Sequence, residues 1–402
     1  MPGPLAGIRV LDLTRVLAGP WAAQNLADLG AEVIKVERPK KGDDSRAFGP
    51  PWLKDANGRD TTDSAYFACA NRAKKSITVD LAHPQGQGIV RELAAKCDVL
   101  LENFKFCDLD RYGLGYAQLR SVNPGLIYCS VTGFGHTGPW RERPGYDFMV
   151  QGMGGLMSIT GERDDRPGGG PQKAGIPIAD LITGMYASVA VCAALAHRAK
   201  SGKGQHLDLA LFDSLVAVLA NQGANYLATG EPPGRLGNDH PNIAPYQVFR
   251  TKDGSLILAC GNDNLFRKFC EVAGCSSLPG DARFATNGKR VANRVELTRI
   301  LSDIFLKKTT REWIEALEAA GVPSGPINDL KQVFAEPQAV ARGLRMQLGN
   351  VSLVRSPMRF SETPIEHQAP PPLLGEHTDE VMRALLGKSE GEVARLRAEG
   401  II

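Results

Sequence analysis

Along the first third of the chain, short apolar runs alternate with stretches of helical period. Residues 8–13 (IRVLDL) form one β-rich run, and Gly19-Pro20 opens a helical stretch that ends near Gly30. Residues 32–37 (EVIKVE) and 76–80 (SITVD) read as further strands. Between Pro84 and Lys96 the apolar positions Ile89, Val90, Leu93 and Ala94 share one helical face. Strand pattern returns at 98–101 (DVLL) and 126–131 (LIYCSV). Apolar strands separated by helices predict an α/β fold with a mostly parallel sheet covered on both faces, since neither side of such strands meets water.

The middle of the chain changes pattern. Asp180 stands before a long apolar helical stretch that reaches Arg198 and is stopped by 201–204 (SGKG). A strand at 206–210 leads into a second long apolar segment, 211–227. From Pro245 the spacing predicts a hairpin, with strands at 246–250 and 255–260 around an Asp253-Gly254 turn. Helices are expected near 264–273 and 292–305, and Thr309 with Glu312 predicts a capping box for a helix reaching Ala320. This region reads as a smaller α+β domain, so the expected division is a large domain over 1–225 and a small one over 226–335. After Gly325-Pro326 a helical segment runs to Gly343, and the Pro370-Pro371-Pro372 bend precedes two short helices. No internal repeat is evident, and Gly168-Gly169-Gly170 reads as a loop.

Composition adds exclusions. The 402 residues are 43% hydrophobic and 23% charged, enough for a large core without a metal or disulfide staple. A net charge of +3 argues against general nucleic-acid binding but leaves room for a local basic patch that receives an anion. The eight cysteines form no CxxC pair, so the expectation is reduced thiols in a cytoplasmic protein with no metal site. The N-terminus lacks a signal-peptide pattern and no uninterrupted run of about 18 apolar residues occurs, so neither export nor a membrane partner is expected.

Two features carry possible chemistry. Residues 133–138 (GFGHTG) match GxGxxG after a strand, but Pro139, Pro144 and Gly145 interrupt the helix that a nicotinamide dinucleotide would need. A glycine-rich turn is the better reading. Asp180, after the apolar approach Ile176-Pro177-Ile178-Ala179, reads either as an N-cap or as a functional carboxylate. The roles are compatible, because a helix N-terminus stabilises a carboxylate anion.

The chain resembles the class III CoA-transferases. The likeness runs through 11–39 (LDLTRVLAGPWAAQNLADLGAEVIKVERP), 42–46 (GDDSR), 74–81 (KKSITVDL), 102–116 (ENFKFCDLDRYGLGY) and 131–139 (VTGFGHTGP). It continues through 144–147 (PGYD), 158–167 (SITGERDDRP), 178–187 (IADLITGMYA), 201–208 (SGKGQHLD), 321–329 (GVPSGPIND) and 370–378 (PPPLLGEHT). The resemblance implies a large Rossmann-like domain to which residues 336–402 return, a smaller domain between, and an interlocked homodimer. It puts the family's nucleophile on Asp180 and a tyrosine–acid pair on Tyr146 and Asp147. Contacts to coenzyme A fall on Val16, Leu17, Arg38, Val79, Asn103, Phe104, Arg111, Arg143 and Leu211, with Lys74 and Lys75 as further candidates.

The substrates implied are an acyl-CoA and a free carboxylic acid, exchanged without metal or nicotinamide. α-Methylacyl-CoA racemases of the same fold carry His where this chain has Tyr146, and tyrosine, with a reference pKa near 10, is a poor proton shuttle. Oxalate-specialised members carry Gln at the position of Leu17 and a glycine-rich loop near 237–241, both missing here. Leu17, 245–254 (PYQVFRTKDG) and 334–338 (FAEPQ) are shared with succinyl-CoA:glutarate (hydroxymethylglutarate) transferases, so dicarboxylates and a succinyl-CoA donor are expected. His240 and Asn242 are candidates for the acceptor pocket or for a turn.

Overall fold

Six apolar runs become the strands of one parallel sheet in the computed structural model, which describes residues 3–366 and 369–402. They are β1 (Arg9–Asp12), β2 (Glu32–Glu37), β3 (Lys74–Thr78), β4 (Val99–Glu102), β5 (Ile127–Thr132) and β6 (His206–Ala210). Their spatial order is β3-β2-β1-β4-β5-β6, the doubly wound order of dinucleotide-binding folds. β3 lies two residues earlier than its sequence pattern suggests, because buried Lys74 pairs in register with Val33.

Alternate residues feed two cores. Val10, Val33, Val99 and Leu101 point into one core, beneath α1 (Ala18–Asp28). Leu11, Ile34 and Leu100 point into the other, with Ile89, Val90 and Leu93 of α2 (Pro84–Ala94). The first core is completed by Val150 of α3 (Asp147–Met153), Ala187 and Val191 of α4 (Ile178–Ser201), and Leu215 of α5 (Leu211–Ala217). The C-terminal residues Val381, Met382, Val393 and Leu396 close the second. Their segment also covers the open edge beside β3, where the Ser76 carbonyl accepts the His377 amide at 2.9 Å and the Ile401 carbonyl accepts the Asp80 amide at 2.7 Å. Blunting an edge this way removes a template for unwanted strand pairing.

α4 is the longest helix among the described residues. Thr183, Gly184 and Ser188 punctuate it, so no strict apolar run exists, yet a mean hydropathy of 1.8 makes it long and apolar enough to cross a bilayer by length and composition. In this fold one face packs on α1. A Cβ added at Gly184 would come within 2.6 Å of the Ala18 carbonyl oxygen, so only glycine allows this approach. Asn25 of α1 donates to the Ser188 hydroxyl at 3.3 Å. The outer face leaves Met185, Tyr186 and Val189 exposed.

The chain divides into two compact units, the first being Met1–Leu156, Ala174–Leu219 and Gln338–Ile402. The second, Met157–Lys173 with Ala220–Pro337, therefore begins at 220 and also takes 157–173, which the sequence division left in the large domain. The apolar segment 211–227 breaks between α5 and the helix Ala220–Thr229, with Ala220 in the left-handed region at φ 46°. Within the second unit β7 (Tyr246–Arg250) and β8 (Ser255–Ala259) form the expected antiparallel hairpin, extended by β9 (Ser324–Pro326). Its aromatic core joins Phe249, Phe266 and Phe269 to Phe305 and Trp313, and the Thr309–Glu312 capping box is present.

Gly184→Val should force α1 and α4 apart. Overpacking of this kind costs about 1–3 kcal/mol. Thermal unfolding should show a lower Tm.

Candidate functional site

Strand order reverses between β1 and β4, and the chains leaving these neighbours diverge to open a crevice at the carboxyl end of the sheet. A cleft of about 250 Å³ occupies that position. Val16 and Leu17 reach it from the β1 loop, Asn103 and Phe104 from the β4 loop, and Leu211 from the start of α5. Arg143, Tyr146 and Asp180 complete the set of expected residues that line it.

The β1 loop is held by buried charge. Val16 has φ 69°, a left-handed conformation that strains a β-branched residue and persists only where surroundings over-determine it. Asp43 accepts the Val16 amide at 3.1 Å, and Asn103 both accepts from the Arg15 amide (2.9 Å) and donates to its carbonyl (2.7 Å). Fully buried Lys35 donates to the Thr14 carbonyl at 2.8 Å and pairs with Asp43 at 2.8 Å. Asp12 accepts the Thr14 amide at 2.9 Å and pairs with Lys74, also at 2.9 Å. Lys74 reaches the Pro20 carbonyl in the first turn of α1 at 3.0 Å. Burial pushes Lys74 down to about 8 against the pull of Asp12, while burial is overcome at Lys35, which Asp43, Asp12 and Glu37 hold above its ordinary value.

Asp180 lies in the first turn of α4, not at its cap. The cap position is Pro177, which offers no side-chain acceptor. Asp147, at the start of α3, supplies it: one carboxylate oxygen accepts the Ala179 amide at 2.7 Å and the Asp180 amide at 3.4 Å. The other takes 2.7 Å donation from Gln151, whose own carbonyl accepts the Ala174 amide at 2.8 Å. Asp147 is thus a positioning residue, whereas the exposed ring of Tyr146 lines the cleft itself. Burial, and next the charge of Asp147, push the Asp180 carboxyl up to about 7. The helix end was expected to favour the anion. These two effects outweigh it, and the result is a carboxylate more basic than usual.

The glycines of the GFGHTG segment have a steric role. No helix follows them. A Cβ at Gly133 would lie 2.5 Å from the Gly145 Cα, so two glycines let the 141–146 segment lie against the end of β5. That contact carries Arg143 and Tyr146 into the cleft.

Arg38 and Val79 line a neighbouring cavity of about 170 Å³ that shares Arg15 and Phe104 with the cleft. Arg111 lines neither; it is exposed, 3.6 Å from Asp108 and stacked over Tyr112. Lys74 is consumed in the buried network, and Lys75 pairs with Glu32 (2.9 Å) and Glu380 (2.7 Å), so neither is available to a phosphate. His240 and Asn242 belong to the second unit, where the His240 ring accepts the Asn242 amide at 3.1 Å, a turn contact.

Sequence reasoning missed Arg15, Lys105 and Arg141, which also line the cleft. It missed Tyr66 as well, held above its ordinary value by burial and by the charges of Asp180, Cys69, Asp147 and Asp43. Basic residues set beside aromatic ones in 104–106 (FKF) and 140–143 (WRER) were the available signal for Lys105 and Arg141.

The pH behaviour of Asp180 follows from its surroundings. Any activity that depends on the Asp180 carboxylate should fall as pH drops through about 7. Asp147→Asn keeps an acceptor for the Ala179 amide but removes the charge, and should move that acid limb down by roughly half a unit to one unit. Because the folded-state value lies above the ordinary one, the folded protein binds the extra proton. Asp180 therefore costs stability that is absent at low pH and grows as pH rises to about 7. Asp180→Asn should raise Tm at pH 8 by more than at pH 5, read by calorimetry.

The description "CoA-transferase family III" fits residues 5–378 of the chain. The chain is similar to a succinate–glutarate CoA-transferase from Agrobacterium fabrum, 52% identical over 387 residues that cover 95% of this chain and 96% of that one. It is 45% identical to a succinyl-CoA:glutarate CoA-transferase from Mus musculus, covering 99% of this chain and 90% of that one. Among solved structures, a CaiB/BaiF family protein from Brucella suis superposes with a TM-score of 0.85 at 49% identity, covering 96% of this chain and 100% of that one. With the doubly wound sheet, the cleft at its switch point and likeness along almost the whole length, the chain belongs to CoA-transferase family III and is a CoA-transferase.

Proposed function

We propose that the protein moves CoA from succinyl-CoA to glutarate or a dicarboxylate of similar length, with Asp180 as the acyl carrier. The observation that carries this reading is the Asp180 carboxylate, made basic by burial and by Asp147, in a cleft also lined by Arg15, Arg141 and Arg143. The succinate and glutarate specificities of the Agrobacterium and mouse relatives support the choice of acids.

The steps conserve one thioester. An Asp180 oxygen attacks the succinyl carbonyl carbon, the C–S bond breaks, and CoA leaves as thiolate with a mixed anhydride in place. The thiolate attacks the aspartyl carbonyl, the anhydride C–O bond breaks, and succinate departs from an aspartyl-CoA thioester. The incoming carboxylate attacks that thioester to form a second anhydride and free the thiolate again. Thiolate attack on the acceptor carbonyl then releases the new acyl-CoA and restores Asp180. Neither ATP nor a metal is needed to balance these steps. Water must be excluded, since it would hydrolyse either anhydride.

Coenzyme A would lie with its adenosine end in the cavity lined by Arg38 and Val79 and its thiol arm passing Arg15, Phe104, Asn103 and Val16 toward Asp180. A homodimer would cover the apolar surface left by Phe148, Met185, Tyr186 and Val189.

Hydroxylamine added during turnover with succinyl-CoA should convert Asp180 to a hydroxamate detectable by mass spectrometry, and Asp180→Ala should retain CoA binding while losing transfer. Unchanged transfer by a folded Asp180→Ala protein would end this reading. Labelled CoA transfer across C4–C6 dicarboxylates should peak at glutarate. Sedimentation equilibrium should return twice the 43.2 kDa chain mass.

A further inference from the structure

A dicarboxylate brings a second charge into the cleft, and that charge needs a partner. Four cationic side chains line the cleft: Arg15, Lys105, Arg141 and Arg143. Arg15 is paired with Asp44 at 3.2 Å and Arg141 faces Glu142 at 3.6 Å. Among the described residues no carboxylate pairs with Arg143. Its guanidinium instead rests over two aromatic rings, 5.1 Å from the Trp140 centroid and 5.7 Å from that of Phe134. Those rings are themselves packed edge to face, and Trp140 also meets Phe212.

An arginine stacked on aromatic faces keeps its in-plane N–H groups free. Stacking removes part of the rotamer entropy that bidentate binding would otherwise cost, and the fork geometry matches a carboxylate. Lys105 too has no side-chain partner among the described residues, but no aromatic ring orients it and its ammonium is a strongly hydrated point charge. Arg143 lines only the cavity that holds Asp180 and is not shared with the neighbouring cavity of Arg38 and Val79. That position suits the acid end of the substrate better than the phosphates of coenzyme A.

We infer that Arg143, held on the Trp140–Phe134 shelf, binds the distal carboxylate of the acyl group and is the residue by which the enzyme selects dicarboxylic over monocarboxylic acids. The inference rests on the dicarboxylate reading above. The Gly133–Gly145 contact serves it directly, since it sets the height of the segment that bears Arg143.

The test compares glutarate with pentanoate, which replaces the distal carboxylate by a methyl group, as acceptors from succinyl-CoA. In a ping-pong reaction kcat/KM for the acceptor reports only on the CoA-loaded enzyme. Arg143→Gln should lower kcat/KM for glutarate by about 30-fold or more while changing that for pentanoate by less than about threefold, as expected when a charged group loses its hydrogen-bonding partner. Trp140→Leu, which removes the shelf but keeps the charge, should give a smaller loss of the same selectivity. Free CoA should bind Arg143→Gln as it binds the parent protein, measured by calorimetry. If pentanoate turns over too slowly to follow, its inhibition constant against glutarate supplies the comparison.

Equal losses for both acids, no loss for either, or a matching loss of CoA affinity would each overturn the assignment of Arg143. A parent protein that prefers pentanoate would instead overturn the dicarboxylate reading. The two failures are therefore separable.

Discussion

Two buried ion pairs, Lys35–Asp43 and Asp12–Lys74, hold the loop on which the rest of the cleft depends. Removing one partner of such a pair leaves an uncompensated charge and costs about 3–5 kcal/mol, yet the intact pair adds little net stability. Its effect here is geometric. Lys35 and Asp12 hold Thr14, Asp43 holds the Val16 amide, and Lys74 ties the loop to the first turn of α1. Val16 can then stay in a conformation that an unsupported β-branched residue would leave.

The same economy of charge shapes the Asp180 carboxyl. A carboxyl held near its solution value would be almost wholly ionised but weakly basic. Burial beside Asp147 makes Asp180 a stronger base at the cost of stability near neutral pH. Asp147 does two opposed things: it satisfies the open amides of α4 and raises the energy of the anion one turn away. A second raised carboxyl, Glu102, lies behind the β4 loop. Burial lifts it to about 7 against donation from Ser130 and from the Phe104 amide, which it accepts at 2.8 Å. Both loops that bound the crevice are thus anchored by buried acids.

The legible part of the fold was its periodicity. Apolar runs identified all six strands of the sheet, and the hairpin at 246–259 and the Thr309 cap followed from turn and cap chemistry. Boundaries failed where tertiary contacts decided them. The break after α5 depends on a left-handed Ala220, and the attachment of 157–173 to the second unit has no local signal. Lys74 looked available to a phosphate because its sequence neighbours do not reveal that Asp12, 62 positions earlier, sits beneath it.

For the site, family likeness pointed to Asp180, while the residues themselves left it open between a helix cap and a functional carboxylate. Local period and the chemistry of single side chains were enough to give the sheet and its covered faces, because strands and helices declare themselves in neighbouring positions. Which cations share the cleft with Asp180, that Asp147 caps its helix and that Arg111 stands apart emerged from the three-dimensional arrangement. Those outcomes depend on distances between segments remote in the chain, and one-dimensional spacing carries no record of them.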